Sequence, residues 1–193
     1  APNVRFCEVI LDGKYIGLYL MTETVTNGTD CRLSISEPVD KTAETGYLLR
    51  LDRYSQEQLR NLDNFTSYTF QNNNQMEIRY PRSGALTLEM KEAIEQEFSD
   101  FEKALYSFDY DTDDYGYWQY IDTGSFVDYW ILNEFTSNTD AGRYSTYLYK
   151  DIGGRYKTVI WDFNSACDNY QAGETSPYTF HMQEEAWFFM LMK

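Results

Sequence analysis

Histidine is almost absent from this chain, one residue in 193, and cysteine is scarce, with three. Cys7, Cys31 and Cys167 stand far apart without a Cys-x-x-Cys pair, so a zinc site of ordinary spacing is not expected. A Ser-His-Asp or Cys-His relay would have to pass through His181, which lies in a polar stretch with no nucleophile elbow. Hydrolase chemistry is set aside on that ground. Cys7, inside an apolar strand, reads as a small core residue. Glycine-rich phosphate loops are missing as well: there is no Walker lysine and no G-x-G-x-x-G. No apolar run reaches the length of a membrane span. The chain opens into a strand at Val4 with no basic and apolar leader, and residues 184–193 read as an amphipathic helix with no Gly or Pro exit. Both ends are therefore expected to be cuts from a longer precursor. Basic residues are outnumbered, 16 Lys and Arg against 31 Asp and Glu, leaving a formal charge of −15. That balance argues against nucleic acid or an anionic membrane as partner and suits an exported or surface protein kept soluble by its acidity.

What is present suits one domain large enough to bury a sizeable core. Its character changes near residue 87. Before that point, apolar runs predict strands over 4–11, 15–22, 47–52, 67–71 and 76–80, the first two joined by the hairpin signal Asp12-Gly13. After it, Ile94, Phe98, Phe101 and Leu105 recur at helical spacing and predict a helix over 88–106 with Phe98 and Phe101 in the core. A second helix, over 124–136, is expected to bury Phe126, Val127, Trp130, Ile131 and Phe135. The fold class is α+β: a β-rich part, 1–86, followed by a helical part, 87–193, that carries a small β-hairpin.

Three further patterns have ordinary explanations. In the run 109–116, Asp111, Asp113 and Gly116 match the first, third and sixth positions of a calcium loop. Tyr115 breaks the fifth and Asp122 stands at the twelfth, so the run reads as a solvated acidic loop. Asn27-Gly28-Thr29 and Asn64-Phe65-Thr66 are glycosylation sequons that matter only in a eukaryotic source. The 18% aromatic content fits carbohydrate contact, and equally a tyrosine-rich core and rim.

The stretch 133–164 is the most informative. It predicts strands over 145–150 and 156–161 joined by a turn at Asp151, Ile152, Gly153 and Gly154. Asp140 falls in a polar loop after the helix, and Asp162 ends the second strand, backed by Trp161 and Phe163. A hairpin brings its flanks together, and two carboxylates at one end of a sheet can hold a divalent cation and position a hydroxyl nucleophile. Read from the residues alone, Asp140 and Asn138 also fit a plain Asn/Asp-rich loop, and Asp162 a strand-end cap.

These residues resemble the CotH family, the spore-coat-protein-H-like atypical protein kinases, in their Asn-x-Asp loop, Tyr-rich hairpin and closing Trp-Asp-x-Asn. The resemblance extends to RFCEVILDGKYIGLYLMTE (5–23), GYLLRLDR (46–53) and YIDTGSFVDYWILNEF (120–135), in the family's order. It implies a single kinase-like domain, truncated at both ends, that uses ATP with Mg or Mn on a protein substrate of the spore coat or cell surface, outside the cell. Asp140 then matches the catalytic-loop aspartate, with Asn138 fixing the loop or contacting phosphate. Asp162 matches the metal-binding aspartate, with Asn164 beside it as a second metal ligand. Ser145 stands where many members carry an Asn that takes a second cation, and Thr24 follows Glu23 where a Lys is frequent, so the metal count and the phosphate's basic partner stay open. Arg5, Arg50 and Arg143 are candidates for that partner. Two functions remain open: a Ser/Thr protein kinase, and a non-catalytic coat-assembly or adhesion module that keeps the fold.

Overall fold

The computed structural model describes residues 2–40, 42–53, 57–63, 74–170 and 173–193. The expected strand 67–71 and the sequon at Asn64 lie outside them. The chain forms two compact units, Ala1–Ile35 and Ser36–Lys193.

In the first unit, β1 (Val4–Leu11) pairs antiparallel with β2 (Lys14–Thr22), from Val4 opposite Thr22 to Leu11 opposite Lys14. The connecting turn needs left-handed backbone at both central residues; Asp12 has φ 50° and Gly13 φ 76°, conformations that Asp tolerates and Gly adopts freely. Cys7 is half-buried, not the enclosed core residue its apolar strand suggested, because a two-stranded ribbon has no second layer of its own to bury either face. Asn27 exchanges two hydrogen bonds with Ile35, Nδ2 to the carbonyl at 3.0 Å and Oδ1 from the amide at 2.7 Å, so the amide of this sequon is already engaged.

The second unit is built on a four-stranded antiparallel sheet in the order β4-β3-β5-β6, comprising β3 (Tyr47–Arg53), β4 (Asn74–Tyr80), β5 (Thr146–Lys150) and β6 (Lys157–Val159). The hairpin of the second half is thus no separate element: β5 pairs with β3, Leu49 facing Leu148, and one sheet joins the two halves of the sequence. Strand β3 is central and fully buried at Leu48, Leu49 and Leu51, so it carries apolar side chains on both faces.

Helix α1 (Leu88–Tyr106) starts where the Thr87 side chain accepts from the Met90 amide, and it buries Ile94, Phe98, Phe101 and Leu105 as its spacing predicts. Phe98 and Phe101 pack edge-on or tilted against Tyr156 and Trp187, with centroids 5.5 to 6.4 Å apart. Helix α2 (Thr123–Phe135) is capped by the Asp122 carboxylate, which accepts from Ser125 N at 3.0 Å. Its buried face differs from expectation: Phe126, Tyr129 and Asn133 point inward, whereas Val127, Ile131 and Phe135 are exposed, Phe135 at 86%. The polar Asn133 wins a core position because its amide donates to the Tyr129 carbonyl at 2.8 Å and accepts from Asn138 at 2.9 Å. Val127 and Ile131 line an open groove of about 320 Å³ with Trp130, Leu191 and Met192.

The expected helix 184–193 is cut to one turn, α3 (Phe188–Leu191), preceded by a 3-10 turn at Met182–Glu184. Ala186 takes φ 40° between them. That kink lets Trp187 sink completely into the core and donate its indole N–H to Glu102 at 2.9 Å. In the acidic loop, Gln119 Nε2 donates to the carbonyls of Asp113 and Asp114, and the Asp122 carboxylate caps α2.

Candidate functional site

The site stands at one end of the sheet. Leu51 faces Thr146 and Tyr147 faces Val159. Beyond these ladders, Arg53 ends β3 and Tyr144 stands two residues before β5. The guanidinium of Arg53 lies 5.2 Å from the centre of the Tyr144 ring. Beside Tyr144, the Ser145 hydroxyl donates to Asp162 Oδ2 at 3.0 Å. Asp162 does not end a strand, since β6 stops at Val159; the residue sits three positions further on with φ 61°. A left-handed Asp turns the chain away from the sheet and sends 163–167 across the loop that follows α2.

That loop, 136–145, is fixed from inside. Ser137, with φ 50°, ends α2, and Asn138 N returns to the Asn133 carbonyl at 2.9 Å. The Asp140 carbonyl accepts from Arg143 N at 3.1 Å and from Tyr144 N at 2.8 Å. Gly142, with φ 82°, donates its N–H to Thr146 Oγ1 at 2.9 Å, and a Cβ there would stand 2.9 Å from the Glu185 side chain. Only glycine meets both demands. Behind it, burial pushes the Tyr129 phenol up to about 12, so it stays neutral while contacting Thr146 Oγ1 at 3.3 Å.

Two further bonds tie the loops together. Ser165 Oγ donates to Asp140 Oδ2 at 2.8 Å, and Cys167 N donates to the Thr136 carbonyl at 2.6 Å. The loops of Asp140 and Asp162, 22 residues apart in the chain, are therefore brought together, each carboxylate accepting from a serine of the other loop. Asn138 is buried at 2% exposure; its Nδ2 donates to Asn133, while its Oδ1 has no hydrogen-bond partner among the described residues. Asn164 is exposed, and its carbonyl accepts from Asn169 Nδ2 at 2.7 Å.

Among the described residues no group of three His, Cys, Asp or Glu side chains is gathered for a metal ion. A cation carried on a nucleotide needs only one or two carboxylates, the phosphates supplying the rest. Asp162, half-buried and held by Ser145, is a carboxylate of that kind. The basic candidates fare differently. Arg50 donates to the buried Glu77 at 2.7 Å; burial lowers its affinity for a proton, but Glu77, Tyr147 and Asp52 raise it above the ordinary value. Arg143 pairs with Glu185 at 3.2 Å, and Arg5 belongs to the first unit. Arg53 and Ser165 escaped the sequence reading. Arg53 ends the run 46–53 that carries part of the family likeness, and only the sheet register brings it to Tyr144. Nothing in the sequence pairs Ser165 with a residue 25 positions earlier.

No helix among the described residues is long and apolar enough to cross a membrane. Comparison with curated proteins and with solved structures finds no match. A family model does: that of the CotH kinase protein covers residues 1–193, the whole chain, which therefore belongs to the CotH kinase family.

Proposed function

We propose that this chain is an atypical protein kinase that transfers the γ-phosphoryl group of ATP to a Ser or Thr hydroxyl of a spore-coat or cell-surface protein, outside the cell. Membership of a kinase family supports ATP and a divalent cation in general terms. The observation that carries the reading is the pinning of Asp140 and Asp162 onto adjoining loops by Ser165 and Ser145. Asp140 already accepts a hydrogen bond from the Ser165 hydroxyl, oxygen to oxygen 2.8 Å, which is the geometry a base needs toward an acceptor hydroxyl. Asp162, with Asn164 beside it, is the set that would hold Mg or Mn, and such a cation would neutralise charge on the β and γ phosphates. Asn138 keeps the loop in place through Asn133. Arg53, exposed beside Tyr144, is the basic residue this arrangement offers to phosphate.

The test separates binding from chemistry. Asp140→Asn is expected to lower turnover steeply with ATP affinity nearly unchanged, Asp162→Asn to abolish cation-dependent nucleotide binding, and Arg53→Ala to weaken ATP binding about tenfold or more. Calorimetry and phosphate incorporation on the same proteins report each. The engagement of Arg50 and Arg143 by carboxylates favours a second reading, a non-catalytic coat-assembly or adhesion module. For that module, partner binding survives Asp140→Asn and Asp162→Asn alike, and the wild type incorporates no phosphate.

A further inference from the structure

We propose, resting on the kinase reading, that Ser165 is an intramolecular phosphoacceptor whose hydroxyl stands where the substrate hydroxyl has to stand. Ser165 Oγ lies 2.8 Å from Asp140 Oδ2 and donates to it. That is the distance over which a general base takes the proton of an attacking hydroxyl. Ser145 is different: its hydroxyl is held by Asp162, the carboxylate assigned to the cation, and not by the base.

The turn carrying Ser165 does not depend on this side chain. Ala166 N donates to the Phe163 carbonyl at 3.2 Å, Cys167 N to the Thr136 carbonyl at 2.6 Å, and Asn169 Nδ2 to the Asn164 carbonyl at 2.7 Å. Asn164 is exposed and Ser165 half-buried, so the turn reaches solvent, from which nucleotide arrives. In the transfer, Ser165 Oγ forms a bond to the γ-phosphorus as the bond from that phosphorus to the β,γ-bridging oxygen breaks. ADP leaves with the electron pair, and the serine proton passes to Asp140 and then to water. The phosphoserine carries about two negative charges beside Asp140. Repulsion swings the phosphoserine side chain away from Asp140 and clears that carboxylate for an external acceptor.

The contact itself is tested without nucleotide. By NMR, the Ser165 hydroxyl proton should be protected from exchange in the wild type and lose that protection in Asp140→Ala; exchange at the rate of free serine in the wild type overturns the proposal. The transfer is tested on the full-length protein with ATP and Mn by phosphopeptide mapping at several protein concentrations. The expected result is phosphate on Ser165, on threonine in Ser165→Thr, and on neither in Ser165→Ala or Asp140→Asn, gained at a rate per molecule that dilution leaves unchanged. A rate that falls with dilution overturns the intramolecular assignment. Labelling of an added serine peptide while Ser165 stays unmodified overturns the inference and leaves the kinase reading standing, whereas labelling of neither removes both.

Discussion

Asp162 couples backbone to chemistry. Its φ of 61° is a conformation Asp and Asn visit more readily than other residues with a side chain. Asp162→Ala therefore removes the carboxylate and strains the turn together, and it is expected to cost about 1 kcal/mol more than Asp162→Asn. Urea unfolding of the two variants measures the difference; equal midpoints would show that the turn tolerates alanine. A second residue-level effect lies in the core. Burial raises the phenol of Tyr156 well above its ordinary value against the pull of its hydrogen bond to Tyr47, and Tyr47 is raised by burial, by Tyr156 and by Glu97. The folded chain thus keeps protons that the unfolded chain releases above about pH 10, so stability is full below that pH and falls as pH rises further. Tyr156→Phe is expected to flatten this alkaline decline, which denaturant midpoints between about pH 9 and 11 would reveal.

At the scale of elements, α1 and α2 make opposite cases. In α1 the apolar period coincides with the buried stripe, and Phe98→Ala or Phe101→Ala should each cost about 3 to 5 kcal/mol, because both rings are fully enclosed. In α2 the apolar residues are too many for one face, so their pattern left the orientation undecided. The hydrogen bonds of Asn133 to Tyr129 and Asn138 chose it. Phe126→Ala is accordingly expected to cost about 3 kcal/mol or more, and Phe135→Ala less than about 0.5 kcal/mol. A comparable loss in both melting curves would place Phe135 in an interface. Element α3 shows propensity overruled: FFML continues an apolar helical pattern, yet the burial of Trp187 beside Phe98 at 5.6 Å breaks the helix at Ala186.

At the scale of the whole molecule, the shared sheet is what makes the second unit cooperative. Strand β3 is bonded on both sides, to β4 from the first half of the sequence and β5 from the second. Its amides, those of Leu49 and Leu51 above all, should exchange most slowly and report the global opening of this unit. Substitutions in α1 and in β5 should shift one common transition; separate transitions would show that the two halves fold independently.

The sequence by itself determined the α+β class, the register-setting turn at Asp12-Gly13, the full extent of α1 and the family, because each rests on local spacing, turn chemistry or a motif contiguous in the chain. It also singled out Asp140 as a loop carboxylate and Asp162 as a carboxylate closing the hairpin, though it put Asp162 at the end of a strand that stops at Val159. Only the tertiary structure decided that β5 and β6 extend the first sheet, which face of α2 turns inward, that Ser165 and Ser145 donate to those carboxylates, and that Arg53 meets Tyr144. The physical reason is common to all of these. Strand pairing, the satisfaction of a buried Asn and a serine's choice of carboxylate depend on partners 4 to 25 residues away or across the sheet, and those partners meet only once the core has closed.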